Sequence, residues 1–185
     1  MTEIAEILEG QLREIYGRVV YTHKTHEKCA DLLLKRHRQI KFWQILLSAL
    51  VTGGIFTTLS DELKVLATIV SALLSTILLA LNSYTKDYDL GEVAQKHRQT
   101  AADIWLIREK YLSLLTDLRV RCVSHDQIRE IRDALLAELH VAYTGAPSTN
   151  DKAYKKAQDA LTKMKDMTFS DVEIDAFLPK ELRRG

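Results

Sequence analysis

The sequence predicts an all-α protein: a two-helix transmembrane hairpin whose helices extend into a cytosolic helical bundle, with additional C-terminal helices. Three observations lead there. Two nearly uncharged apolar runs stand back to back at 42–59 and 65–84, split by a short polar connector at 60–64. Amphipathic stretches with a helical repeat flank them on both sides. Only seven glycines and two prolines occur in 185 residues, so turn and strand signals are sparse.

Residues 1–41 form the first cytosolic helix. Thr2 can cap it, and Ile4, Leu8, Leu12, Ile15, Val19, His26, Cys29 and Leu33 recur at three- and four-residue steps. With no breaker between Arg18 and Lys41, the helix is expected to run straight into the first span.

At 1.5 Å per residue the run at 42–59 reaches about 27 Å and the apolar part of the second, 65–81, about 26 Å, close to the hydrocarbon thickness of a bilayer. A buried hairpin in a soluble bundle is the alternative. That reading needs apolar partners on every side, whereas the flanking helices offer one apolar face each. Lys35, Arg36, Arg38 and Lys41 precede the first run, Lys86, Lys96 and Arg98 follow the second, and the connector carries Asp61 and Glu62 against Lys64. The positive-inside rule places both termini in the cytoplasm. Lys35, Arg36, Arg38, Lys41 and Lys86 are therefore the topogenic and lipid-headgroup residues, with Trp43, Tyr84 and Tyr88 at belt positions. The acidic opening Met1-Thr2-Glu3-Ile4-Ala5-Glu6 lacks the basic start of a signal peptide, so insertion is expected to use the hairpin itself.

After the second span, Leu90, Val93, His97, Ile104, Ile107, Tyr111, Leu114 and Leu118 give the cytosolic helix 85–120 an apolar stripe. The two legs are expected to pack antiparallel, stripe to stripe. In the C-terminal region, 121–185, Ser124 and Gln127 predict a capping box for a helix to about Tyr143, ended by Gly145 and Pro147. A further helix is expected from about Lys152 to Met167, and Ser170 with Glu173 opens a last helical turn that Pro179 disrupts. The chain reads as a single unit, 1–185.

A formal net charge of +1 gives no bias toward nucleic acid, and no such partner is expected. Cys29 and Cys122 would both lie on the reducing side, which argues against a structural disulfide. No glycine-rich phosphate loop, nucleophile constellation or paired carboxylates are evident, so neither an enzyme nor a cofactor is expected, and no catalytic residue is assigned. His23, His26 and Cys29, with Cys122 and His125 on the other leg, resemble zinc ligands by type. Their three-residue spacing drifts around a helix and makes a poor tetrahedral clamp, so helix-face and core roles are the expectation.

Small polar residues mark the spans. Gln44, Ser48, Thr52, Gly53 and Gly54 lie in the first, and Thr68, Ser71, Ser75 and Asn82 in the second, where their spacing places them on one helix face. Such residues either line water or let helices pack closely and hydrogen-bond. The Gly pair permits a kink or a close crossing. Two spans cannot enclose a channel, so a pore requires a homo-oligomer.

Several stretches carry a resemblance. They are Leu34-Lys35-Arg36-His37-Arg38-Gln39-Ile40-Lys41-Phe42-Trp43, the Gly53-Gly54 pair, the short connector and Asn82-Ser83-Tyr84. To these are added Ala94-Gln95-Lys96-His97-Arg98, the helix with Trp105 and Tyr111, and Phe177-Leu178-Pro179-Lys180-Glu181-Leu182. In these the chain resembles the SMODS and SLOG-associating two-transmembrane effector (SLATT) family. The resemblance implies a pore-forming effector that disrupts the bacterial inner membrane in nucleotide-signalled antiphage defence or abortive infection. It also implies that the nucleotide-signalling or sensor protein is separate. A membrane-anchored interaction or scaffold module without pore activity is the alternative.

Overall fold

The computed structural model describes residues 3–57 and 64–183. The expected cap Thr2, connector residues 60–63 and the end of the first apolar run at 58–59 lie outside the described residues. The fold is all-α: α1 (Glu3–Thr57), α2 (Lys64–Asp87), α3 (Leu90–Val120), α4 (His125–Thr144), α5 (Asp151–Thr162) and α6 (Asp171–Phe177), then a 3₁₀ turn at Lys180–Leu182.

α1 is one unbroken helix of 55 residues. At 1.5 Å per residue that is a rod of about 80 Å, far longer than a span needs. The uninterrupted run from Arg18 past Lys41 is therefore observed, and Gly53 and Gly54 fall within helix. α2 and α3 return along it. His26 meets His97, His23 meets Ala101 and Tyr16 meets Arg108, so contacts descending α1 ascend α3 and the two run antiparallel.

The second leg departs from a straight continuation. α2 runs on through Asp87, and the helix breaks at Tyr88 and Asp89. There the Asp89 carboxylate accepts from the backbone N–H groups of Gly91 at 2.8 Å and Glu92 at 3.0 Å, capping α3. These bonds hold the Asp89 carboxyl below its ordinary range, Glu92 contributing most.

The core lies at the end of the rod away from the apolar hairpin. Leu8, Leu12, Ile15 and Val19 of α1 interlock with Ile104, Ile107, Tyr111, Leu114 and Leu118 of α3, and α4 closes the groove with Ile128, Leu135 and Leu139. Each such aliphatic side chain contributes about 1.5–3 kcal/mol by leaving water. Ile4 and Val93, expected in the stripes, are 50% and 37% exposed, because Ala5 and Ala94 take the inward positions beside them. The Ser124 capping box forms as expected.

α5 packs on α1 through a face of alanines, Ala153, Ala157 and Ala160, all buried. With no bulk on that face the helices approach closely, and Tyr154 stacks on Tyr21 at 5.9 Å. α5 stops at Thr162, not near Met167. Positive φ angles at Lys165 and Met167 turn the chain back, and the turn delivers Asp166 to Lys24 Nζ at 3.0 Å. The last helical turn opens with the Ser170–Glu173 capping box, and the 3₁₀ turn begins after Pro179.

Candidate functional site

The hairpin formed by α2 and the second half of α1 differs from the rest of the molecule in what it exposes. No residue of α2 is buried. Among the described residues, the stretch Lys64–Val120 holds one segment long and apolar enough to cross a membrane, and none of that segment is buried. Val65, Leu66, Leu73 and Leu79 are each more than 60% exposed, and Ile45 of α1 is 71% exposed. A water-soluble core helix hides such side chains.

Partial burial marks the seam. On α1 it falls at His37, Ile40, Gln44, Leu47, Val51 and Gly54, and on α2 at Ala67, Ser71, Leu74, Leu78, Leu81 and Thr85. Steps of three and four residues on both helices are those of nearly parallel axes packed knobs into holes. At the connector end Gly54 allows the closest approach, since a Cβ there would run into Ser71 Oγ, while one on Gly53 would meet open space. Close crossing, not a kink, is the role of the pair. Ser71 accordingly turns into the seam, where its buried hydroxyl has no hydrogen-bond partner among the described residues.

At the other end a polar cluster ties the helices. Gln44 Nε2 donates to Asn82 Oδ1 at 2.9 Å and to Thr85 Oγ1 at 3.1 Å. Sequence reasoning identified Gln44 and Asn82 but missed Thr85, which the three-residue step from Asn82 could have found.

The remaining small polar residues gather on one side of the seam. Gln44, Ser48, Thr52 and Asn82, with Ile45, Ala49 and Leu78, line a groove of about 700 Å³. Ser75 and Thr68, seven and fourteen residues before Asn82, continue that side of α2 and are exposed. The hydroxyls of Thr52 and Thr68 donate to the carbonyls of Ser48 and Lys64 one turn back, which satisfies them without water. The opposite side carries Leu46, Leu50, Val70, Leu73 and Ile77. The hairpin is therefore two-sided: one side gathers the small polar residues beside the exposed Ile45, and the other is apolar.

At the base of the hairpin Phe42 and Trp43 meet edge to face at 5.8 Å, and Tyr84 stacks on Tyr88 at 5.2 Å. The Arg36 guanidinium sits 5.8 Å over the Tyr84 ring. Arg38, Lys41 and Lys86 are exposed around the same level.

The histidine and cysteine constellation is not assembled. Cys122 follows His97, the partner of His26, by 25 residues, roughly 35 Å or more along the axis at about 1.5 Å per residue. Cys29 is buried, Cys122 is exposed, and no group of potential metal ligands forms among the described residues. What sequence reasoning missed is that the two stripe histidines, His26 and His97, pair directly, Nδ1 to Nδ1 at 2.9 Å. Burial pushes the Cys29 thiol up, against a smaller opposing effect from Asn150.

A sequence model of the SMODS and SLOG-associating 2TM effector domain family 4 matches residues 8–173, from the first core leucine into α6. The chain belongs to that family. No curated protein and no solved structure matches it. Membership makes this SLATT chain a two-transmembrane effector domain associated with SMODS and SLOG proteins, and the exposed hairpin is the part of the fold with the surface such a domain requires.

Proposed function

We propose that this SLATT chain is a multi-pass protein of the bacterial inner membrane that oligomerises into a pore, with the polar side of its hairpin lining the lumen. The two-sidedness of the hairpin carries this reading. Gln44 and Asn82 already serve a lone hairpin by bonding across it. Ser48, Thr52 and Ser75, exposed on the same flank, bring it nothing in lipid, whereas a ring of hairpins turns that strip to water and the leucine flank to lipid or neighbours. No ionised side chain lies along the groove, so the pore discriminates weakly among ions. A leak of that kind suits an effector that disables its own cell in antiphage defence or abortive infection.

Both termini lie in the cytoplasm, as the basic residues at the hairpin base favour. The cytosolic bundle then receives its cue from a separate nucleotide-signalling or sensor protein. The reading assigns the chain no catalytic step, and the upward shift that burial gives the Cys29 thiol makes that residue a poor nucleophile.

Inducible expression of the full chain in bacteria, followed with a potential-sensitive dye, tests the reading. Depolarisation and arrested growth are expected, and both are lost when α2 and the second half of α1 are exchanged for an unrelated hairpin of equal length. Activity that survives the exchange would instead identify a membrane-anchored scaffold.

A further inference from the structure

Beside the base of the hairpin, α1 and α5 enclose an open cleft of about 720 Å³. Lys35, Arg36 and Gln39 line it from α1, and Lys152 and Lys156 from α5 with the capping residue Asn150, with no acidic side chain in its wall. None of the four cations makes an ion pair among the described residues. Lys24, Lys96, Lys110 and Lys163 each hold a carboxylate at 3.0 Å or less, whereas Lys28, Arg98 and Lys155, like the cleft cations, have no ion pair among the described residues. The cleft differs in gathering four such cations in one wall. Lys35 and Lys156 also line an adjoining smaller hollow that contains Asp31 and Asp159; Asp159 is held by Lys163 at 2.7 Å, and neither carboxylate forms an ion pair with Lys35 or Lys156.

Topology explains half of this cluster. Lys35 and Arg36 precede the first span and help to orient it, but Lys152 and Lys156 follow the second span by far more than the roughly 15–20 residues over which flanking charge sets orientation. The fold carries them back to the hairpin base. Four like charges converging from two helices repel one another unless an anion stands between them.

We propose that this cleft binds a phosphate-bearing anion of two or more negative charges, clamped between α1 and α5. The Arg36 fork suits phosphate oxygens in pairs, the lysines supply point charges, and the Gln39 amide adds a neutral donor. Lys35 to Gln39 lie about 5–10 Å along the helix axis from Phe42. That depth is within side-chain reach of the headgroup layer, which extends about 5–7 Å beyond the hydrocarbon. The phosphate therefore comes either from a lipid headgroup or from a soluble ligand. In both cases occupancy cancels the repulsion between the helices and ties the C-terminal region to the foot of the first span. The inference does not depend on pore formation.

Full-length protein in phosphatidylcholine nanodiscs separates the sources. One arm titrates inorganic pyrophosphate by calorimetry, and the other dopes the discs with cardiolipin and measures its retention by native mass spectrometry. Lys152→Glu with Lys156→Glu, both exposed and away from the spans, should weaken binding about tenfold or more. Lys152→Arg with Lys156→Arg should retain it, and Lys152→Gln with Lys156→Gln serves if charge reversal unseats α5. Ligand should also slow amide exchange in α5. Pyrophosphate binding that depends on these lysines assigns a soluble ligand, and lysine-dependent cardiolipin retention assigns a headgroup. Absence of binding in both arms, or equal binding by wild type and every variant, overturns the proposal.

Discussion

Nδ1 of His26 on α1 stands 2.9 Å from Nδ1 of His97 on α3, with the rings 5.0 Å apart and both side chains buried. One nitrogen donates and the other accepts, which fixes different tautomers on the two rings. His23 adjoins them, its Nδ1 2.9 Å from the Ala101 carbonyl oxygen. Burial first, then the neighbouring His97 and His23, hold His26 down to about 4, and burial also lowers His97.

Acid should therefore loosen the junction between the legs. Because the folded pKa of His26 lies below its unfolded value, the unfolded chain takes up its proton first. Stability is complete above about pH 6.5 and falls as pH drops toward 4, by roughly 3 kcal/mol from this group. Thermal unfolding of solubilised protein across that range should show the decline, and His26→Leu with His97→Leu should flatten it. An equally steep decline in the double variant contradicts the assignment.

Tyr111 fills the centre of the core at 0% exposure, yet its hydroxyl has no hydrogen-bond partner among the described residues, and burial pushes its pKa up to about 12. Tyr111→Phe should be neutral or stabilising by up to about 1 kcal/mol. Tyr111→Ala should cost about 3–5 kcal/mol through the cavity it leaves. Chemical denaturation distinguishes the two, and a costly phenylalanine would reveal a partner for the hydroxyl.

The neighbouring glycines of the first span should behave oppositely. Gly54→Leu drives a side chain into Ser71 and should cost about 1–3 kcal/mol or separate the helices. Gly53→Leu enters open space and should be tolerated. Cross-linking between cysteines placed at positions 51 and 74 reports the hairpin, with loss expected for Gly54→Leu alone.

Lys24 is buried in α1 and reaches Glu27 at 2.7 Å and Asp166 at 3.0 Å. Burial alone would lower its pKa, but the two carboxylates outweigh it and the net shift is upward. Asp166→Asn should release the segment from 163 to 183, seen as faster amide exchange there with α1 and α3 unchanged. Unaltered exchange would mean the tie is dispensable.

Much of this architecture was legible as pattern. The stripes of α1 and α3 name the large apolar side chains those two helices bury, because a 3.6-residue repeat records which face is hidden. Buried alanines such as Ala5, Ala94 and, on α5, Ala157 were passed over. Caps at Ser124 and Ser170 were equally plain, since one short motif contains both partners. Relationships across the chain were not. Which flank of the hairpin Ser71 would face depended on the Gly54 approach, and Lys152 gained its meaning only when α5 folded back beside Lys35. α5 stops early where the chain turns back and Asp166 reaches Lys24, a contact between residues far apart in sequence that no local motif announces.

The central claim is that the flank bearing Ser48, Thr52 and Ser75 faces water in an assembled pore. Dye release from liposomes carrying the full chain tests it most directly. Wild type should leak, Ser48→Leu with Thr52→Leu and Ser75→Leu should seal the vesicles while insertion and oligomer size persist, and Leu50→Ala with Leu73→Ala on the opposite flank should still leak. Undiminished leakage from the triple variant, or dye retained by inserted and assembled wild-type protein, would contradict the account.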